Sequence, residues 1–160
     1  MKNKKGFTLV ELLAVIVILA LIMGVAIVGI GNVISTSKNK VMFENAQSMI
    51  DGIKKQFAIY NVTPNGNSYG FNSSILESGG ITSPLGGNFN YGSKGTDDTE
   101  IVSGLWKLAA APSSCTATTP SYIQVSSAGV YTICLTAGSG NKYITGTEAE
   151  ISAQTASTIK

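Results

Sequence analysis

Lys4-Lys5-Gly6-Phe7-Thr8-Leu9-Val10-Glu11-Leu12-Leu13 stands near the start of the chain, and from Leu12 to Ser37 there follow 26 consecutive residues without a charge, bounded by Glu11 and Lys38. A helix needs about 20 apolar residues to cross a bilayer, so this run is long enough to span one. Lys2, Lys4 and Lys5 precede it. By the positive-inside rule they hold the N-terminus in the cytoplasm and send the chain from about Lys38 onward to the outside.

A cleavable secretory signal would have an apolar core of about 7–15 residues followed by a small-x-small cleavage site. Gly24-Val25-Ala26 offers such a site, but the apolar run continues through Ile27, Val28 and Ile30. A lipoprotein signal needs a cysteine nearby, and the two cysteines of the chain lie at 115 and 134. A plain anchor helix would suffice for the span, yet it gives no reason for Gly6-Phe7 or for an acid at Glu11.

Those residues, from Lys4 to Leu13 with the aliphatic helix behind them, resemble the class III signal of type IV pilins and their relatives. The resemblance implies that a prepilin peptidase cuts between Gly6 and Phe7, removes the basic leader and methylates the new amine of Phe7. It implies that Glu11 serves assembly by meeting the Phe7 amine of a neighbouring subunit. A carboxylate in an apolar helix costs roughly 2.5–3.5 kcal/mol on insertion scales, so a partner is expected. The implied product is a homo-oligomeric helical filament, built by a pilus assembly machinery from a single-pass membrane precursor and carried on the cell surface, without a cofactor. Many relatives carry a proline about where Val28 sits, so any unwinding of the helix would fall to Gly29 and Gly31. Loss of the leader leaves 8 lysines against 9 acids, a mature net charge of about −1.

Beyond the span, Met42, Ala46, Met49, Ile50, Ile53, Phe57 and Tyr60 recur at steps of three and four. They form the apolar stripe of an amphipathic helix, with Pro64 marking its stop. The expected organisation is a leader over 1–6, a membrane or filament-core helix half over 7–37, an amphipathic half over 38–60 and a globular β-rich domain over 61–160. Strands are expected at Ser103–Leu108, Ser121–Val125, Val130–Leu135 and Lys142–Thr145, with Ser126–Gly129 turning the second into the third. Three or four antiparallel strands covering the helix stripe make an α+β fold, the architecture of pilins. Asn61–Asn90 has no period and reads as irregular connection. Within it, Ser83-Pro84-Leu85-Gly86-Gly87-Asn88 resembles a turn of some type IVb pilins and major pseudopilins.

The 160 residues (16.6 kDa) allow one domain with an appended element and exclude a multidomain enzyme. All 11 basic residues are lysines, and with neither His nor Arg the chain lacks the usual proton shuttle and the bidentate phosphate fork. No enzyme activity is expected. Cys115 and Cys134 fall on the exported side, where an oxidising compartment favours a disulfide between them. Asp97, Asp98 and Glu100 could offer hard oxygen ligands to Ca²⁺, but a solvated acidic loop is the expected reading, with no metal. Trp106-Lys107, with Lys54 and Lys55, could stack on a base and touch phosphate. Without a basic surplus, Trp106 is expected in the core and no specific nucleic acid is expected as partner. Within the resemblance, a major pilin is preferred over a minor pilin, a type II secretion pseudopilin or a competence pilin. A membrane-anchored surface binding protein is the distant alternative.

Overall fold

The computed structural model describes residues 7–75, 83–84, 88–138 and 142–155. Gly6, the leader lysines and Leu85-Gly86-Gly87 of the Pro84 turn lie outside the described residues. Contacts divide the chain into two compact units, Met1–Ser37 and Lys38–Lys160, and one helix, α1 (Leu9–Ile59), contributes to both.

In the first unit α1 is apolar on every side. Leu9, Val10, Leu12, Leu13, Ile16 and Ile18 are all exposed. This stretch is long and apolar enough to cross a membrane. The helix continues through Gly24, Gly29 and Gly31 without interruption. A Cβ at Gly24 or Gly31 would meet nothing within 4 Å, so no packing within the chain demands glycine there.

In the second unit α1 buries one stripe completely. Met42, Ala46, Met49, Ile50 and Ile53 have no exposed surface, and Phe57 is nearly as enclosed. Tyr60 was expected on the same stripe, but it is half-exposed because the helix has already ended at Ile59. The stop comes from Asn61 rather than from Pro64. Asn61 takes a left-handed conformation (φ 51°), the Val62 N–H donates to Phe57 O at 2.9 Å and the Asn61 N–H donates to Ala58 O at 3.4 Å. These two bonds make a Schellman cap, with Val62 packing back on the core.

The stripe is covered by a six-stranded antiparallel sheet rather than one of three or four strands. In chain order the strands are β1 (Asn67–Phe71), β2 (Thr99–Val102), β3 (Leu105–Lys107), β4 (Tyr122–Val125), β5 (Tyr131–Thr136) and β6 (Tyr143–Thr147). Their spatial order is β2-β3-β1-β4-β5-β6. β1 therefore sits inside the sheet, within the stretch read from sequence as irregular connection. Tyr69 and Phe71 belong to the core, and the Tyr69 ring meets Phe57 edge-on at 4.8 Å between centroids. Alternation then turns Ser68 and Gly70 to the opposite face. Gly70 interrupts the apolar pattern for a steric reason: a Cβ there would overlap the indole of Trp106, its register partner on β3.

The turn between β4 and β5 is as read, with Ser126 N–H donating to Val130 O at 3.0 Å and Gly129 at φ +77°. β6 leads directly into α2 (Glu148–Ser152), whose Thr147 and Glu150 form a capping box. Lys54 reaches from α1 to Glu148 at 2.5 Å while lying 4.8 Å over the Tyr131 ring, and so ties α1, α2 and β5 together.

Candidate functional site

α1 starts one residue after Thr8 because Thr8 and Glu11 cap each other. Thr8 Oγ1 accepts from the Glu11 N–H at 3.3 Å. Glu11 Oε2 accepts from the Thr8 N–H at 2.9 Å and from the Thr8 hydroxyl at 3.0 Å. This is a capping box, which satisfies backbone donors that a helix start otherwise leaves unpaired. The Thr-x-x-Glu spacing of Thr8-Leu9-Val10-Glu11 carried that signal in the sequence. Both bonds to the carboxylate end on one oxygen. Phe7, immediately before the box, is 86% exposed, and Gly6 is outside the described residues.

The segment thus combines an exposed aromatic at Phe7, a capped helix start and an exposed carboxylate one turn in, followed by an uncharged, largely apolar helix. Residues 1–27 match the family model of the prokaryotic N-terminal methylation motif. This motif is the class III signal peptide of type IV pilins. It covers 27 of the 160 residues and supports a type IV pilin-like or pseudopilin precursor. Together with the apolar helix, the motif fits a membrane-anchored precursor. No curated protein matches the chain, and no solved structure does.

Away from the motif, Cys115 and Cys134 are joined by a disulfide with their Cα atoms 5.6 Å apart. Cys134 lies on β5 and is buried, so the bond fastens the segment before β4 to the sheet. That segment has further internal ties. Thr119 Oγ1 bonds the Thr116 hydroxyl at 2.7 Å and accepts from the Thr116 N–H at 3.2 Å, and the Thr136 hydroxyl donates to Thr116 O at 3.4 Å.

Asp97, Asp98 and Glu100 do not converge, and among the described residues no group of three or more acids or cysteines could hold a metal ion. Asp98 instead closes a loop, accepting from the Ala109 N–H and the Gly95 N–H, both at 2.9 Å. Those two bonds, and Lys94 nearby, hold its carboxyl below the usual aspartate value of 3.8. Glu100 stands on β2 opposite Trp106. Trp106 is buried, but on the face of the sheet turned away from the core, since Leu105 before it belongs to the core cluster and Trp106 does not. Buried there, its indole presents no open face for a base to stack on.

Proposed function

We propose that this chain is the structural subunit of a type IV pilus, inserted with its N-terminus inside, cut between Gly6 and Phe7 and polymerised through the first half of α1. The observation that carries this reading is the apolar helix surface of the first unit, with Leu9, Leu13, Ile18, Met23 and Val33 exposed and the methylation motif at its head. In lipid that surface is satisfied by acyl chains; in a fibre it is satisfied by the same surface of neighbouring subunits. Packing, rather than a chemical reaction, is then the work of the protein.

The capping box bears on the role of Glu11. Its two bonds to Thr8 use Oε2. A neighbour's Phe7 amine can pair with Oε1 while the helix start stays capped, so charge pairing and helix initiation do not compete. Such a pair sets the axial register of helices whose apolar surfaces would otherwise slide. The charge-assisted bond also removes the cost of a lone carboxylate away from water.

Two measurements test the reading together. Intact-mass analysis of chain recovered from its own cells should show a polypeptide starting at Phe7 with one added methyl group, and Gly6→Val should leave an uncut membrane-bound precursor. Electron microscopy should show fibres that disappear when this chain is deleted. A mature chain starting near Ile27 would make it an ordinary secreted protein. A cut chain whose loss leaves the fibres in place would assign it to the minor or pseudopilin type instead.

A further inference from the structure

The chain holds one Asn-Gly pair, Asn65-Gly66, and one Asp-Gly pair, Asp51-Gly52. In such pairs the glycine amide can attack the side-chain carbonyl carbon before it and close a cyclic imide, because glycine has no Cβ to hinder the attacking nitrogen. The fold treats the two pairs in opposite ways. Asp51-Gly52 lies inside α1, where the Gly52 N–H is spent on a helix hydrogen bond and the Asp51 carboxylate accepts from Gln47 Nε2 at 3.2 Å. Asn65-Gly66 lies in the connection from α1 to β1, and both residues are exposed.

Among the described residues no acceptor takes the Gly66 N–H, and no partner bonds the Asn65 carboxamide. Gly66 has φ +68°, and a Cβ there would meet nothing within 4 Å, so the attacking amide is not crowded by the fold. The main chain around the carboxamide is held in place. Asn65 donates its N–H to Thr63 O at 2.9 Å, and its carbonyl accepts from Asn67 Nδ2 at 2.8 Å. Neighbouring asparagines are engaged: Asn67 in that bond, with buried Ser68 behind it, and Asn72 through Oδ1, which accepts from the Ser74 N–H at 2.9 Å and the Ser74 hydroxyl at 2.6 Å. Asn65 also lines an open cleft with Thr63, Ser127 and Tyr131, where water has access.

We propose that Asn65 is a self-modifying site, converted in the folded protein to isoaspartate and aspartate through a succinimide with Gly66. The Gly66 nitrogen gives up its proton and bonds to Asn65 Cγ. The Cγ–Nδ2 bond then breaks, and ammonia leaves with the proton. Water opens the imide at either carbonyl, so the reaction consumes only water and oxidises nothing. Opening at Cγ gives aspartate. Opening at the former backbone carbonyl gives isoaspartate, whose main chain runs through Cβ and Cγ and is longer by one methylene.

The extra methylene falls one residue before β1, a strand paired on both sides, with β3 and β4. It also removes the carbonyl that Asn67 Nδ2 holds. Either product adds a negative charge, and no lysine lines the cleft to pair with it. Each copy therefore carries a record of its age since folding, written at the entry to an inner strand. The site is independent of the fibre reading, because the pair needs neither leader cleavage nor assembly.

The full-length protein in detergent is held folded for days at mildly alkaline pH in water enriched in heavy oxygen, beside the same chain in urea. Peptide mapping with electron-transfer fragmentation should show loss of ammonia and uptake of heavy oxygen at position 65, with isoaspartate the larger product. The folded and unfolded samples should react at comparable rates there, whereas isoaspartate at position 51 should form only in urea. An isoaspartyl methyltransferase should methylate the aged folded protein, and Asn65→Ser should abolish that signal. The isoaspartyl form, separated by anion exchange, should unfold a few degrees below Asn65→Asp, which carries the charge without the added methylene. Conversion confined to the urea sample, equal conversion of Asn67 or Asn72 in the folded protein, a product without isoaspartate, or a thermal midpoint equal to that of Asn65→Asp would overturn the proposal.

Discussion

The two halves of α1 are one helix with opposite demands. Among the described side chains, large apolar ones such as Leu9, Leu13, Ile18, Met23 and Val33 are exposed in the first half; from Lys38 to Ile59 one stripe of six residues is enclosed and the remaining positions carry Lys38, Lys40, Glu44, Asp51, Lys54 and Lys55. The difference shows that apolar content does not by itself call for a partner in the same chain. The second half brings its own partner, the sheet. The first half has no such partner within the chain, and with the methylation motif at its head it fits the anchor of a membrane-held precursor.

The largest effect is expected from Glu11→Gln. Glutamine serves as the third residue of a capping box as well as glutamate, so the helix start should survive while the charge is lost. Inserted, cut and disulfide-bonded subunit should accumulate in the membrane with few or no fibres in electron micrographs. Thr8→Val makes the complementary change, removing the cap and keeping the charge. It should cost about 1 kcal/mol of helix stability and leave fibres in place. Wild-type fibre yield from the Gln variant would remove the charge pair from the assembly mechanism, and loss of the subunit itself would make Glu11 a folding residue.

Next come paired truncations that compare the halves directly. Phe57→Ala opens a cavity in the core and should destabilise the second unit by about 3–5 kcal/mol, and Ile50→Ala by about 2–5 kcal/mol. Ile18→Ala, in the exposed half, should leave urea unfolding of that unit unchanged. Equal losses at Ile18 and Ile50 would erase the distinction between the halves.

Smaller effects belong to the staples of the second unit. Replacing both Cys115 and Cys134 by serine should lower its stability by about 3 kcal/mol in the chain-entropy account, read from the urea midpoint. Thr147→Ala, which removes the cap of α2, should cost about 1 kcal/mol.

The smallest effect is on the acid side. The Thr147 N–H and hydroxyl hold the Glu150 carboxyl below 4.5, as the Ala109 and Gly95 N–H groups hold Asp98 below 3.8. A carboxyl whose folded value is depressed stabilises fully above its unfolded value and loses that contribution as pH falls through the folded one. Stability should therefore be flat above pH 4.5 with respect to these groups and decline below it. Glu150→Gln should make the decline shallower in a pH series of thermal midpoints. An unchanged acid limb would show that Glu150 contributes nothing to it.

What could be read from the sequence follows from how regular each local environment is. The stripe from Met42 to Phe57 kept its period because one flat surface covers it, and β4 and β6 kept theirs because their side chains alternate between the core face and a less enclosed outer face. β1 was missed for the same physical reason that it works: the glycine that admits the Trp106 indole removes the apolar signal from the middle of the strand. β2 was hidden beside acids, since Thr99 and Glu100 face water at the rim. The two capping boxes, Thr8 with Glu11 and Thr147 with Glu150, were present as spacing and went unread.

The irregular β2 strand has a consequence for solubility. It is the outer strand of the sheet on one side, four residues long, with an exposed Glu100 and a register shift between Glu100 and Val102. A long, flat outer strand invites another chain to add to it, and short, charged or bulged strands resist this. Copies of this chain crowded along a fibre would bring many such margins within reach of one another. The broken margin at β2 discourages runaway strand-to-strand growth, and in the proposed fibre it would leave association to the helices.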